Sequence, residues 1–471
     1  MTDVATRAGS QTEPSIHDAS SYSHATANLL APSLAGGLMR HSQTGRVILV
    51  MALSVAGCGG DNSATTTLVP VTQPGLVTTA EPTTIQYATT TTPAPATQPG
   101  SVTTATSLPP DTERCTFESN GMVSDTWLTF DDPVDDSNDW KFSTPEEQGM
   151  DSKVIASGLE KLESRHIYSF LVIRHGTIVM EEYFNGGEPL LSSNVFSTSK
   201  SMLSALVGIA LREGYVNHLD QPAAEFLPDL FGTLDDPAKS TVTLRQLLTM
   251  TSGLQWSESR DPDTVFDTTD WVRAWWSFPM AQRSGAGFNY NTGMTHTMSA
   301  ILTIQSGMST CEFATRYLFE PLGITVEHWS QDPLGVFMGG SHLFITSREM
   351  AKFGLLYLHQ GQWQGEQIVP RNWVEESLTR QVRAYASDNY DYGYGYWWQL
   401  PTLITDDPEH DPYTVMAAVG YGTQRIYLIP ELDIVVVFTA DGSHIQSSPE
   451  EYLDTDDFIW QSIIPAIIPD A

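Results

Sequence analysis

The sequence predicts a mixed α/β (α+β) domain, with a mostly antiparallel sheet joined by hairpins and flanked by helices. Three observations predict it. Residues 167–181 read as a strand, a His175-Gly176 turn and a second strand. Residues 425–430 and 434–439 read as another strand pair, joined by the polar turn Glu431-Leu432-Asp433. Between these two ends lie helical patterns, opened by Ser197 and running to Arg212-Glu213, then at 244–250, 295–305 and 347–359. Gly214 is placed to cap the first helix, and Gly253 follows the second. Strands at both ends with helices between them fit a layered α/β domain.

The globular composition starts near Trp140, and residues 140–471 form the expected domain. What precedes it reads as an export device. Residues 47–57 are a short apolar run, too short to anchor in a bilayer. Arg40 and Arg46 precede the run, and Val55-Ala56-Gly57-Cys58 closes it, which is the layout of a secretory signal. Translation from Met39 would give a signal of normal length, 39–57, and leave 1–38 as an extension outside the mature protein. Residues 58–139 form the expected tether, Thr/Pro-rich and nearly uncharged over its first fifty residues. The stretch 72–80 recurs there as 97–105, a low-complexity duplication that cannot bury a core.

Charge narrows the function. The chain of 471 residues holds 23 Lys+Arg against 56 Asp+Glu, a net charge of −33. No basic patch is available to meet phosphates, so nucleic acid is excluded as a partner. Solubility accounts for the acidity, with an acidic partner-binding role as the alternative. Cys115 and Cys311 either form a disulfide in an oxidising compartment or are two small buried thiols. His166, His175, His296 and His342 show no metal-ligand spacing and no paired carboxylate, so neither a metal nor a cofactor is expected.

The most informative stretch is Ser197-Thr198-Ser199-Lys200, at the start of an apolar helix. Residues three apart on a helix share a face. Lys200 can therefore reach the Ser197 hydroxyl, and burial lowers a lysine's pKa enough for it to act as a base. That is the arrangement of an activated serine nucleophile. The plain alternative is Ser197 as an N-cap and Lys200 as a solvated first-turn residue. A lysine there opposes the helix dipole, and the helix that follows leaves little solvated surface. The chain has only six lysines, and one sits at this place.

Four segments accompany this pattern in order: Ser-Thr-Pro-Glu-Glu-Gln-Gly-Met at 143–150, Leu-Leu-Thr-Met-Thr-Ser-Gly-Leu at 247–254, Phe-Asn-Tyr-Asn-Thr-Gly at 288–293 and Gly-Tyr-Gly-Thr-Gln at 420–424. From Trp140 onward the chain resembles the serine β-lactamase-like superfamily. Its members include class C β-lactamases, penicillin-binding D-alanyl-D-alanine carboxypeptidases, and esterases and amidases, and the chain is most similar to the esterase and 6-aminohexanoate-dimer-hydrolase-like branch. Residues 47–58 resemble a bacterial lipoprotein signal, which implies lipid on Cys58 and membrane contact through that lipidated N-terminus only. The superfamily resemblance implies a β-lactamase/transpeptidase-like fold with an all-helical region beside the sheet. It implies Ser197 as nucleophile, Lys200 as its base, and Tyr290 as a proton shuttle acting as phenolate or through its hydroxyl. The backbone N–H groups of Ser197 and Thr423 would form the oxyanion hole, with Gly420, Tyr421 and Gly422 beside the substrate.

Two departures bear on the substrate. Thr292 stands where the tyrosine motif most often has asparagine. Gly420 stands where penicillin-recognising members carry a lysine or histidine that pairs with a carboxylate. With no cation there, the resemblance implies a neutral ester or small amide substrate. A D-Ala-D-Ala carboxypeptidase, a weak β-lactamase and a catalytically silent wall- or ligand-binding module are the alternatives.

Overall fold

A computed structural model describes residues 115, 117, 127–128, 139–386, 390–403, 413–442 and 455–468. Residues 1–38, the expected signal with Cys58 and most of the 58–139 tether lie outside the described residues.

Eight strands form one antiparallel sheet: β1 (Ile167–Arg174), β2 (Thr177–Tyr183), β3 (Val382–Ala386), β4 (Tyr390–Tyr394), β5 (Gln399–Leu403), β6 (Met416–Gly420), β7 (Gln424–Ile429) and β8 (Ile434–Ala440). Their spatial order is β2-β1-β8-β7-β6-β5-β4-β3. Both hairpins expected from the sequence are present, with Leu428 opposite Val435 and Val172 opposite Met180. The first strand of this sheet thus pairs with the last, Val172 lying opposite Val436.

Why β8 lies inside the sheet and not at an edge follows from its residues. Ile434-Val435-Val436-Val437-Phe438 is apolar at every position, and such a run is stable only when both faces are covered. Val435 and Val437 face one core with Leu171, Ile173, Ile426 and Leu428. Ile434, Val436 and Phe438 face the other, with Phe170, Val172, Phe458, Ile459 and Ile463. Each such fully buried side chain contributes about 1.5–3 kcal/mol. Four long helices accompany the sheet, α1 (Ser152–Glu163), α2 (Thr198–Glu213), α3 (Thr292–Ser306) and α4 (Ser347–Leu358), and the site draws on the starts of α2 and α3. α2 is buried from Thr198 to Ala210, its polar first turn together with the mainly apolar run that follows. Gly214 ends it at φ 80°, the left-handed position expected for a glycine cap. α3 begins at Thr292, three residues earlier than its apolar pattern indicates, because Asn291 caps it through a side-chain bond to the Gly293 N–H.

A second, four-stranded sheet runs in the order 127–128, 192–194, 343–346, 328–329. Trp127–Leu128 pairs with Ser192–Asn194, the strand that leads straight into Ser197. Cys115 and Cys311 form a disulfide that joins positions 196 residues apart. Phe117 packs edge-on against His328 and Phe337. Folded structure therefore reaches upstream of residue 140 at these points. Among the described residues no helix is long and apolar enough to cross a membrane.

Candidate active site

Ser197 stands at the entrance to α2, and its hydroxyl makes no capping bond to the helix. It meets the Lys200 Nζ instead, at 2.8 Å. Lys200 donates a second bond to the Gly340 carbonyl, also at 2.8 Å. Its side chain is 1% exposed. Burial lowers the Lys200 pKa to about 8, and the Glu258 carboxylate partly opposes that shift. A lysine with that pKa is substantially neutral near pH 8 and can take a proton from the hydroxyl it touches.

The turn before Ser197 is held tightly. Phe196 adopts φ 45°, a conformation that costs a bulky residue on the order of 1–3 kcal/mol. Asn194 holds it there: its Oδ1 accepts from the Phe196 N–H at 2.9 Å and from the His342 N–H at 3.0 Å. The N–H groups of Thr198, Ser199 and Lys200 bond back to the carbonyls of Val195, Phe196 and Ser197. Among the described residues, the Ser197 N–H has no internal acceptor, and neither does that of Thr423. Thr423 lies in the turn between β6 and β7 at φ 68°, a rare conformation for a β-branched residue. Thr198 Oγ1 bonds the Gln424 carbonyl at 3.2 Å and so joins this turn to the start of α2. A free N–H at a helix entrance and another in a strand turn are donors of the kind that can receive a developing oxyanion.

Tyr290 comes from the loop before α3, and its ring lies 5.1 Å from the Lys200 Nζ. Burial and then the Glu258 charge push its pKa up, while a hydrogen bond with Ser197 acts the other way. The net shift is upward, so the Tyr290 phenol keeps its proton at neutral pH. The 247–254 segment positions this loop. The Met250 carbonyl accepts from the Asn289 N–H at 2.8 Å, and the Thr251 carbonyl accepts from the Gly285 N–H at 2.8 Å. Asn289 Nδ2 donates to the Leu254 carbonyl at 3.0 Å.

A model of the family described as Beta-lactamase matches residues 159–455, more than half of the chain. The chain belongs to the Beta-lactamase family. The 6-aminohexanoate-dimer hydrolase of Paenarthrobacter ureafaciens is 25% identical over 327 residues, covering 63% of this chain and 79% of the relative. A Bacillus anthracis structure described as a candidate 6-aminohexanoate-dimer hydrolase superposes with a TM-score of 0.57 at 18% identity, covering 76% of this chain and 95% of that one. A candidate β-lactamase from Bacteroides dorei gives 0.52 at 18% identity, covering 64% and 97%. The expected β-lactamase-like architecture is present, with its antiparallel sheet and flanking helices.

Within this family frame, Gly420 has a packing reason. A Cβ there would lie 2.4 Å from the Val195 carbonyl oxygen and 2.9 Å from Thr198 Oγ1. No side chain fits, cationic or otherwise. The cation near this turn is Arg425 instead, which is buried and whose Nη1 bonds the Gly420 and Gln424 carbonyls. Tyr421 packs edge-on against Phe196 at 5.4 Å. Tyr394 meets the rings of Phe288 and Tyr290 at 5.0 and 6.5 Å.

One reading needs correction. His296 does have a carboxylate partner: its Nε2 lies 3.1 Å from Asp332 Oδ2, and both side chains are buried. The partners are 36 residues apart, on α3 and on the loop that leads to Gly340, so sequence spacing could not show the pair. Sequence reasoning did not single out Asn194, Gly340 or Glu258, and it read His342 only as having no metal role. Burial lowers the His342 pKa to about 4, so its ring is neutral beside Lys200. Among the described residues no group of three or more His, Cys, Asp or Glu is arranged to hold a metal.

Proposed function

We propose that this protein is an exported, lipid-anchored serine hydrolase that cleaves neutral esters or small amides through an acyl-enzyme on Ser197. The observation that carries the reading is the 2.8 Å contact between the Ser197 hydroxyl and the buried Lys200 amine. Neutral Lys200 takes the hydroxyl proton as Oγ attacks the substrate carbonyl. The oxyanion is received by the N–H groups of Ser197 and Thr423; losing one such donor typically costs about a hundredfold or more in rate. Tyr290 gives its proton to the leaving group and is reprotonated by the Lys200 ammonium, which holds the proton taken from Ser197. Water then attacks the acyl-enzyme over the same proton path and releases the acid, so the cycle needs no cofactor.

The absence of room for a cation at position 420 supports a neutral substrate. Relatives named as hydrolases support the reaction class. Export and attachment through Cys58 rest on the signal-like segment 39–58.

The test is turnover of p-nitrophenyl acetate and butyrate by the full chain. Wild type should turn over, and Ser197→Ala and Lys200→Ala should lose about a hundredfold or more. Nitrocefin turnover with stable penicillin labelling would move the assignment to a carboxypeptidase or β-lactamase. A biological effect that survives Ser197→Ala would identify a binding module.

A further inference from the structure

Glu258 is one of 56 acidic residues, in an irregular stretch before residues 262–266, and nothing in its local sequence marks it. Its position does. Its Oε1 accepts a hydrogen bond from the N–H of Thr292, the first residue of α3 and two residues beyond Tyr290. The next N–H, of Gly293, goes to the Asn291 side chain. The end of the tyrosine loop is thus fixed from two sides, and Glu258 is the side that carries charge.

Lys200 needs a counter-charge that its own contacts do not supply. Its Nζ bonds are to a hydroxyl and a carbonyl. Attack by Ser197 leaves the proton on Lys200 and so creates an ammonium in a buried place, which is costly without an anion nearby. The groups facing it can be named. Ser197 lies on its own helix, the Tyr290 phenol on the next loop, and the neutral His342 ring on the loop before the 343–346 strand. The Tyr394 ring lies 6.5 Å from that of Tyr290, and Tyr385 and the Arg425 cation also act on Tyr290. Glu258 is bonded at Thr292, two residues from Tyr290, whose ring lies 5.1 Å from the Lys200 Nζ, and from there its charge acts on both groups.

We infer that Glu258 is a positioning residue of the serine–lysine–tyrosine centre: it fixes the Tyr290 loop at the start of α3 and balances the ammonium that forms on Lys200 during acylation. The inference rests on the acyl-enzyme reading proposed above. It assigns Glu258 no contact with substrate.

The experiment is the pH profile of kcat and kcat/KM for p-nitrophenyl butyrate, with the full chain as wild type, Glu258→Gln, Glu258→Asp and Ser197→Ala. Glutamine keeps an acceptor for the Thr292 N–H but removes the charge. Removing the anion lowers the Lys200 pKa, so the acid limb of Glu258→Gln should move down by about half a pH unit or more. Its plateau kcat should fall by roughly tenfold, with KM little changed, because the lost charge acts only when the ammonium forms. A purely structural role would lower the amplitude and leave the midpoint in place. Aspartate keeps the charge but shortens the reach: the wild-type midpoint and a several-fold lower kcat are expected. Glu258→Gln with the wild-type midpoint overturns the charge role, and Glu258→Asp with the wild-type kcat overturns the positioning role. If Glu258→Gln does not fold, Glu258→Asp decides: a midpoint moved with the charge retained contradicts the inference. Turnover that survives in Ser197→Ala would refute the acyl-enzyme reading itself, whatever Glu258 does.

Discussion

At the residue scale, the chemistry depends on two proton carriers displaced in opposite directions by the same burial. Lys200 is pushed down to about 8 and Tyr290 is pushed up. A base is active when unprotonated, so kcat/KM should rise with pH and level off above about 8, the Lys200 value. Tyr290 acts as a phenol and stays protonated through this range, so the same profile should show no loss from its ionisation between pH 8 and 10. A steady-state pH series with p-nitrophenyl acetate checks both limbs. Tyr290→Phe removes the donor and keeps the ring, so kcat should fall by about a hundredfold to ten-thousandfold while thermal stability stays near wild type. An unchanged kcat would remove Tyr290 from the mechanism.

At the element scale, the site is a meeting of three chain segments, each made rigid by a local feature. The start of α2 is fixed by the strained Phe196 and by Asn194. The Tyr290 loop is fixed by the 247–254 segment. The β6–β7 turn lies against Val195 so closely that Gly420 has no room for a side chain. Gly420→Ala should therefore cost about 1–3 kcal/mol, read by urea unfolding, and should reduce turnover more than stability alone explains. Gly420→Lys should not create a carboxylate-binding site, because its Cβ already collides with backbone. These elements differ in how far their sequence revealed them. The β7–β8 hairpin and α2 were legible, since an uninterrupted apolar run and a glycine cap are local signals. The Ser197–Lys200 pair was legible because both residues share one helical turn. Glu258, Gly340 and the His296–Asp332 pair were not, because each acts across a long separation in the chain. Gly340 acts through a backbone carbonyl, which any residue possesses.

At the scale of the whole molecule, the first and last strands of the eight-stranded sheet pair side by side, so the sheet that carries the β6–β7 turn needs chain from both ends of the domain. Upstream residues add a brace: a strand at 127–128 beside 192–194, and the Cys115–Cys311 disulfide. That disulfide closes a long loop, so Cys115→Ser should destabilise the fold by about 2–5 kcal/mol, measured by urea unfolding against wild type. Activity at low temperature should persist, because neither cysteine is among the residues that form the site. The central claim concerns Ser197, and one measurement tests it most directly. The full chain is mixed with p-nitrophenyl butyrate, quenched in acid within the first turnovers, digested and mapped by mass spectrometry. A butyryl group on Ser197, absent from Ser197→Ala and strongly reduced in Lys200→Ala, is the predicted result. Turnover by wild type with the acyl group on another residue, or with no covalent adduct at any quench time, would contradict it.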